Sequence, residues 1–264
     1  MSVRHQAELA KKYIRYYFSA GNRHSVHSPF VYALVEDVLN KKQFLSAYAP
    51  MENLRAGLLK SAEVLNVTDL GAGSLMGATN VRKVKDITRH AAKPPKFGQL
   101  FYRLVKYLGA STVLELGTSM GLSTAYMASA GADVYTIEGC PNIAARAAKN
   151  FRDLGLQNKI HQHIGNFDTE LSKVLQQIPS PDIVYIDGNH REEPTVQYFL
   201  DCLPHLKPSS LLIFDDVHWT EGMERAWETI KAHPAVTTSI DLFFIGLVFV
   251  SPDFKEKQAF ELKF

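Results

Sequence analysis

The 264 residues, 46% hydrophobic with a net charge of +2, have an ordinary globular composition, enough for one large domain or a domain with an accessory segment. The longest apolar run, LFFIGLVFV at Leu242 to Val250, is too short to cross a bilayer as a helix, so no membrane partner is expected. Charge is split along the chain: residues 1–110 hold 17 Lys and Arg against 7 Asp and Glu, and residues 111–264 hold 12 against 20, which suits docking of the two halves or an acidic partner for the first.

The amino terminus MSVRHQAELAKKY lacks the apolar stretch of a signal peptide. Apolar positions at helical spacing predict helices over Gln6 to Phe18 and Phe30 to Lys42. Between them HSVHSPF, with His24 and His27, reads as a capping turn before Pro29 or as a wall of a substrate site. VTDLGAGSLMGATN, Val67 to Asn80, runs from apolar residues through an acid into glycines, as a cofactor loop does. AAKPPKFG then interrupts helix and sets a boundary between an extension at 1–95, mainly helical, and a domain at 96–264.

Beyond that boundary short apolar runs alternate with helical stretches. Strands are predicted at Thr112 to Leu116, Asp133 to Glu138, Lys159 to Ile164, Asp182 to Asp187 and Ser210 to Asp215, with helical stretches such as Asn142 to Leu154 between them. This α/β rhythm implies a parallel sheet with helices on both faces. Val236 to Ile240 and Phe243 to Val250 are too close for a crossover and must form an antiparallel hairpin. Cys140 and Cys202 are spaced neither as a zinc site nor as a disulfide framework, so both are expected as packing residues in a reducing cytoplasm.

Two glycine-rich stretches compete for the cofactor. A nucleotide-binding turn needs a strand before it, a helix after it, and an acid ending the next strand to accept ribose hydroxyls. VLELGTSMGLST, Val113 to Thr124, meets all three, with Glu138 lying 21 positions beyond Gly117. VTDLGAGSLMGATN fails the third, because TRHAAK follows where the acid should stand. Glycines at Gly117 and Gly121 after Glu115 form E-x-G-x-x-x-G, unlike the G-x-G-x-x-G that brings backbone onto a pyrophosphate. S-adenosyl-L-methionine (SAM) has no pyrophosphate, and its cationic groups suit an acid such as Glu115.

The fourth and fifth strands end in acids, Asp187 in DIVYIDGNH and Asp215-Asp216 in LLIFDDVHW. Ligands of open parallel sheets bind at the carboxyl ends of strands, so these acids are expected to converge near the cofactor. Close carboxylates resist ionising together unless a cation balances them, and oxygen donors suit Mg²⁺ or another divalent ion. In the plainer alternative, Asp187 contacts the cofactor and Asp215 or Asp216 caps the next helix. His190 could accept a proton from the acceptor molecule, and His218 is a weaker candidate.

These residues resemble class I SAM-dependent methyltransferases, particularly metal-dependent O-methyltransferases of the catechol and caffeoyl-CoA type, over about Lys96 to Val250. KFGQLFYRLVKYLGASTVLELGTSMGLST, VYTIEGCPNIAARAAKNFRDLGL, DIVYIDGNH and FDDVHWTEGM carry the likeness. It implies a Rossmann-like, seven-stranded sheet of five parallel strands and a closing antiparallel hairpin. It also implies SAM contacts from Glu115, Gly117 and Ser123, with Thr118, Ser119 and Gly121 in the same turn. Glu138 would hold the ribose, Asn166 and Phe167 would lie beside adenine, and Asp187, Asp215 and Asp216 would bind the metal, with Asp187 and His190 as catalytic residues. Two departures are Asp216 where the family commonly has Asn, and His190 where it often has a lysine. The extension with HSVHSPF and DLGAGS is similar to that of uncharacterised bacterial methyltransferases.

The expected reaction is O-methylation of a small-molecule acceptor. The rivals are a metal-independent enzyme acting on nitrogen, RNA or protein, and a SAM-binding module without catalysis. IDGNH in place of N/D-P-P-Y/F argues against adenine or glutamine methylation, and no RNP, zinc-finger or KH signature points to nucleic acid. A homodimer stays open as the assembly state.

Overall fold

A computed structural model describes residues 3–41, 43–68, 80–252 and 256–264. They gather into two compact units, one containing residues 3–41, 182–252 and 256–264 and the other 43–68 and 80–181. In chain order the helices and strands are α1 (Val3–Ser19), α2 (Pro29–Leu34), α3 (Ala49–Leu58), β1 (Val64–Asn66), β2 (Val81–Lys83), α4 (Val84–Ala91) and α5 (Pro95–Leu108). The alternating part follows with β3 (Thr112–Leu116), α6 (Leu122–Ser129), β4 (Asp133–Glu138), α7 (Pro141–Asp153), β5 (Ile160–Ile164), α8 (Phe167–Gln177), β6 (Ile183–Ile186), α9 (Glu192–Cys202), β7 (Leu211–Asp215) and α10 (Glu221–Ala232). Strands β8 (Thr238–Asp241), β9 (Ile245–Phe249) and β10 (Gln258–Glu261) close the chain.

In the second of these units β3 pairs in parallel with β4, and β4 with β5, so that Leu114 faces Tyr135 and Tyr135 faces His161. Every residue of β3 is buried, as a strand covered on both faces must be. Proline opens α5 and α7, where its missing N–H costs nothing, and Gly109 ends α5 with φ 61°. The segment before β3 is built into this unit: Leu58, Val67, Val84 and Ile87 form one buried cluster with Met120, Leu122, Cys140 and Ile143. Nearby, Tyr48 and Met51 pack with Ala125 and Tyr126 of α6.

The other unit orders its strands β10-β8-β9-β7-β6. β6 and β7 are parallel, with Ile186 opposite Phe214. β9 is antiparallel to both β7 and β8, which is the closing hairpin expected from sequence. Its turn, Leu242 to Phe244, is longer than the Asp241-Leu242 connection expected, with Phe243 at φ 67° and its N–H held by Asp241 Oδ1 at 2.7 Å. β10, not anticipated, runs parallel to β8. Helix α1 joins the same unit through Tyr16, whose hydroxyl reaches the carbonyls of Asp241 and Leu262 at 2.7 Å each. Tyr16 also packs with Ala20 and Phe243.

One further expectation is corrected. The helix expected from Phe30 to Lys42 stops being α-helical at Leu34 and passes into a π-helical turn, Val35–Leu39, closed by Asn40 N–H donating to Val35 O at 2.8 Å. The stretch Val67 to Asn80, already set aside by its sequence as the cofactor turn, lies between two short strands. It joins β1 to the antiparallel β2, with Leu65 opposite Arg82, so its frame differs from that of a nucleotide-binding turn. Its central part, including DLGAGS with Gly71 and Gly73, lies outside the described residues.

Candidate active site

The turn after β3 is shaped by backbone angles that few residues tolerate. Gly117 has φ 105° and Gly121 φ 78°, and Ser119 between them has φ 48°. Gly121 is the N-cap of α6, and a Cβ there would collide with the Phe151 ring, so glycine is required on both conformational and steric grounds. Gly121 N–H donates to Thr118 O at 2.8 Å, and Gly117 N–H to Ile137 O at 3.0 Å, tying the turn to β4.

Glu138 ends β4 and clasps this turn. Its Oε2 accepts from Ser119 N–H and its Oε1 from Cys140 N–H, each at 2.9 Å. Gly165 N–H donates to Glu138 O at 3.0 Å, which brings Asn166 and Phe167, at the start of α8, to the end of the neighbouring strand. Asn166 caps α8 by accepting from Asp168 N–H at 3.1 Å. Glu138, Asn166 and Phe167 are all half-buried, so each has surface left for a ligand.

Glu115 is different, being fully buried within β3. Its carboxylate accepts from Ser123 Oγ at 2.6 Å, Thr124 Oγ1 at 2.5 Å and Thr136 Oγ1 at 2.7 Å. Burial pushes its pKa up to about 7 against the pull of the three hydroxyls, and the charge of Glu138 adds to the rise. Half-buried Ser123 is thus the group through which Glu115 reaches the open side of the turn.

The acids at the strand ends form a second constellation, within the other unit. Asp187 follows β6 and Asp215 ends β7, so the parallel pairing of Ile186 with Phe214 sets them side by side. One ligand atom from each of Asp187, His190 and Asp215 lies within 4.8 Å of the others. Asp215 is buried, while Asp187 and His190 are half-buried. His190 Nε2 stands 3.6 Å from Asp187 Oδ1, and Tyr185 Oη donates to Asp187 Oδ2 at 2.8 Å. Asp216, expected from sequence as an oxygen ligand, is not one of the three. Its backbone takes φ 53°, its N–H donates to Phe244 O at 2.9 Å, and its carbonyl accepts from Trp219 N–H at 2.9 Å.

The remaining histidines of interest are placed elsewhere. Both ring nitrogens of His218 are engaged, Nδ1 with Glu224 Oε1 at 3.2 Å and Nε2 with Asp241 Oδ2 at 2.8 Å. Burial alone would lower its pKa, but the hydrogen bonds and charges of Asp241 and Glu224 outweigh burial and raise it. His24 and His27 are exposed; Asn22 Oδ1 accepts from His24 N–H at 2.9 Å and caps a 3₁₀ turn at Arg23–Ser25, whereas Ser28, the N-cap of α2, makes no side-chain cap bond.

Residues 114–217 match the family model described as a methyltransferase domain. Over 148 residues the chain is 29% identical to a catechol O-methyltransferase of Niastella koreensis. That alignment covers 54% of this chain and 66% of the relative, so the chain spans just under two thirds of its length. Among solved structures, an O-methyltransferase from Bacillus cereus in complex with SAH is similar with a TM-score of 0.55 and 21% identity, covering 83% of this chain and 97% of that one. The SAH-bound Podospora anserina methyltransferase PaMTH1 gives a TM-score of 0.60 at 11% identity, covering 81% and 91%. At such identities the structural likeness establishes the fold.

Proposed function

We propose that the protein, whose residues 114–217 match a methyltransferase-domain model, methylates the hydroxyl oxygen of a small molecule with the help of a divalent cation. The observation that carries the metal part is the grouping of Asp187, His190 and Asp215 at the ends of two paired parallel strands. Two carboxylates beside an imidazole are an anionic donor set that fits a divalent ion. When bound, such an ion supplies Lewis acidity that lowers the pKa of a nearby hydroxyl.

On this reading SAM is held by the unit that contains β3. Gly117, Thr118, Ser119 and Gly121 let backbone approach its methionine end, and Ser123 Oγ, whose proton is given to Glu115, accepts from the methionine ammonium. Glu138 accepts the ribose hydroxyls, and Asn166 and Phe167 flank adenine. Asp187 and Asp215 would hold the ion beside the acceptor's hydroxyl. Transfer forms the O–CH₃ bond as the S–CH₃ bond breaks, with SAH leaving and the hydroxyl proton passing to water. SAM is already activated, so alignment supplies most of the catalysis, an effect worth about 7–11 kcal/mol.

Residues 96–264 are assigned to this chemistry and 1–95 to substrate access or docking. A cytoplasmic setting goes with the assignment, because Cys140 and Cys202 are both free and buried. Among the described residues no helix is long and apolar enough to cross a membrane. The test is calorimetric titration of SAM into the purified protein, followed by a transfer assay on a panel of catechols, with SAH as the measured product. SAM binding, and transfer lost in EDTA and in Asp215→Asn, is the expected result. Transfer that survives both would remove the metal, and failure of SAM to bind would remove the whole reading.

A further inference from the structure

An imidazole nitrogen stands among the strand-end carboxylates, and the chain goes to some cost to put it there. Asn189 and His190 take φ 67° and 37°, successive left-handed conformations that are uncommon outside glycine and that Asn and His adopt more readily than most. Two such residues in succession persist only where surrounding contacts over-determine them. Those contacts are present: Asn189 Nδ2 donates to Tyr198 Oη at 3.0 Å, and Asn189 Oδ1 accepts from Arg191 Nε at 2.7 Å. The double turn folds the chain back, so that a residue three positions after Asp187 faces it again.

Asp187 is oriented to match. Tyr185, fully buried on β6, donates to Oδ2, while Oδ1 is the oxygen that faces His190 Nε2 at 3.6 Å. Donors about 2.1 Å from one octahedral ion stand about 3 Å apart when adjacent and about 4.2 Å apart when opposite. The observed 3.6 Å between His190 and Asp187 lies between these two values, and a ligand atom of Asp215 stands within 4.8 Å of both.

Resting on the metal-assisted reading above, we infer that His190 Nε2 is itself a ligand of the ion, with Asp187 and Asp215, and that the resulting nitrogen–oxygen set selects a first-row transition ion over Mg²⁺. This reassigns His190 from the free proton acceptor expected from sequence, since a nitrogen lone pair given to an ion is not available to a proton. Selectivity follows from the donor: imidazole suits Zn²⁺, Co²⁺ and Fe²⁺, whereas Mg²⁺ prefers oxygen and binds imidazole weakly.

The test loads the full-length protein with Mn²⁺ and reads nitrogen directly by electron spin-echo modulation, with Co²⁺ and Mg²⁺ affinities measured by calorimetry. Wild type is expected to show ¹⁴N coupling to Mn²⁺, changed to the ¹⁵N pattern when histidine is isotopically labelled. His190→Gln, which keeps an oxygen donor, is expected to bind Mn²⁺ without that coupling. Loss of an outer-shell partner of a metal already costs 10–100-fold in affinity, so Co²⁺ affinity is expected to fall by at least about tenfold in this variant, with Mg²⁺ affinity little changed. Mn²⁺ that binds without nitrogen coupling, or coupling that persists in His190→Gln, overturns the role of His190 and leaves the metal reading standing. A wild-type protein that binds SAM but no divalent ion sinks the metal reading and the inference with it. Should His190→Gln fail to fold, the isotope experiment on wild type still decides whether a histidine binds the ion.

Discussion

Glu115 shows how a single carboxyl can couple a cofactor turn to pH. It is enclosed within β3 among three hydroxyl donors, and burial lifts its pKa from 4.5 to about 7. The folded state therefore holds a proton that the unfolded chain releases, so the stability associated with Glu115 is complete below about pH 4.5 and is lost as pH rises towards 7. A shift of this size corresponds to on the order of 3 kcal/mol. Glu115→Gln, neutral at every pH, should flatten that slope: urea midpoints at pH 5 and pH 8 should differ less for the variant than for wild type. Equal differences in the two proteins would show that Glu115 titrates as an ordinary carboxyl. Such residues are legible in sequence to different degrees. Glu138, Asp187 and Asp215 could be placed because each ends a strand, and strand ends follow from alternation of apolar runs. The position of His190 beside Asp187 could not, because it depends on two left-handed residues, Asn189 and His190, that no periodicity marks.

Among the elements, α1 is fastened to its unit by polar contacts as well as by its apolar stripe. Lys12 pairs with Glu224 at 2.7 Å, and Glu224 in turn engages His218, which engages Asp241. Trp227 Nε1 also donates to Asp241 Oδ2 at 2.9 Å, and Tyr16 seals the far side with its contacts to Asp241 O and Leu262 O. Tyr16→Phe leaves buried carbonyls short of a donor and should cost about 1–3 kcal/mol in denaturant unfolding. His218 adds a pH dependence. Its pKa is raised in the fold, so its contribution is fully present below about 6.5, the ordinary histidine value, and fades as pH rises through the raised value. His218→Gln should therefore be more destabilising at pH 6 than at pH 9, and a loss that is the same at both would mean that the ring is neutral throughout. Sequence periodicity located α1 and the closing hairpin, since both rest on apolar spacing. It missed β10 and the π-helical turn after α2, which depend on partners distant in the chain or on a local hydrogen bond.

For the molecule as a whole, the alternating strands, the parallel order and the closing hairpin were all readable from residues 112–250, because buried parallel strands leave apolar runs of a length that few other structures use. What the runs do not encode is that the segment before β3 builds part of the core around the turn, through Leu58, Val67, Val84 and Ile87. The two groups of candidate ligand residues belong to different compact units, with Gly117, Ser123 and Glu138 in one and Asp187, His190 and Asp215 in the other. If SAM and the cation bind as proposed, single substitutions should remove one ligand and spare the other. Glu138→Ala deletes the ribose acceptor and the clasp on Ser119, and should weaken SAM about tenfold to a hundredfold, the equivalent of about 1.4–2.8 kcal/mol, with Co²⁺ affinity unchanged. Asp215→Asn should do the reverse, abolishing cation binding while SAM still binds. Both variants should abolish transfer, since methyl donor and activated hydroxyl are needed in the same step. Calorimetry with each ligand on each variant, alongside circular dichroism to establish folding, gives the four affinities required. An Asp215→Asn protein that loses SAM as well as the cation while remaining folded would contradict this division of labour.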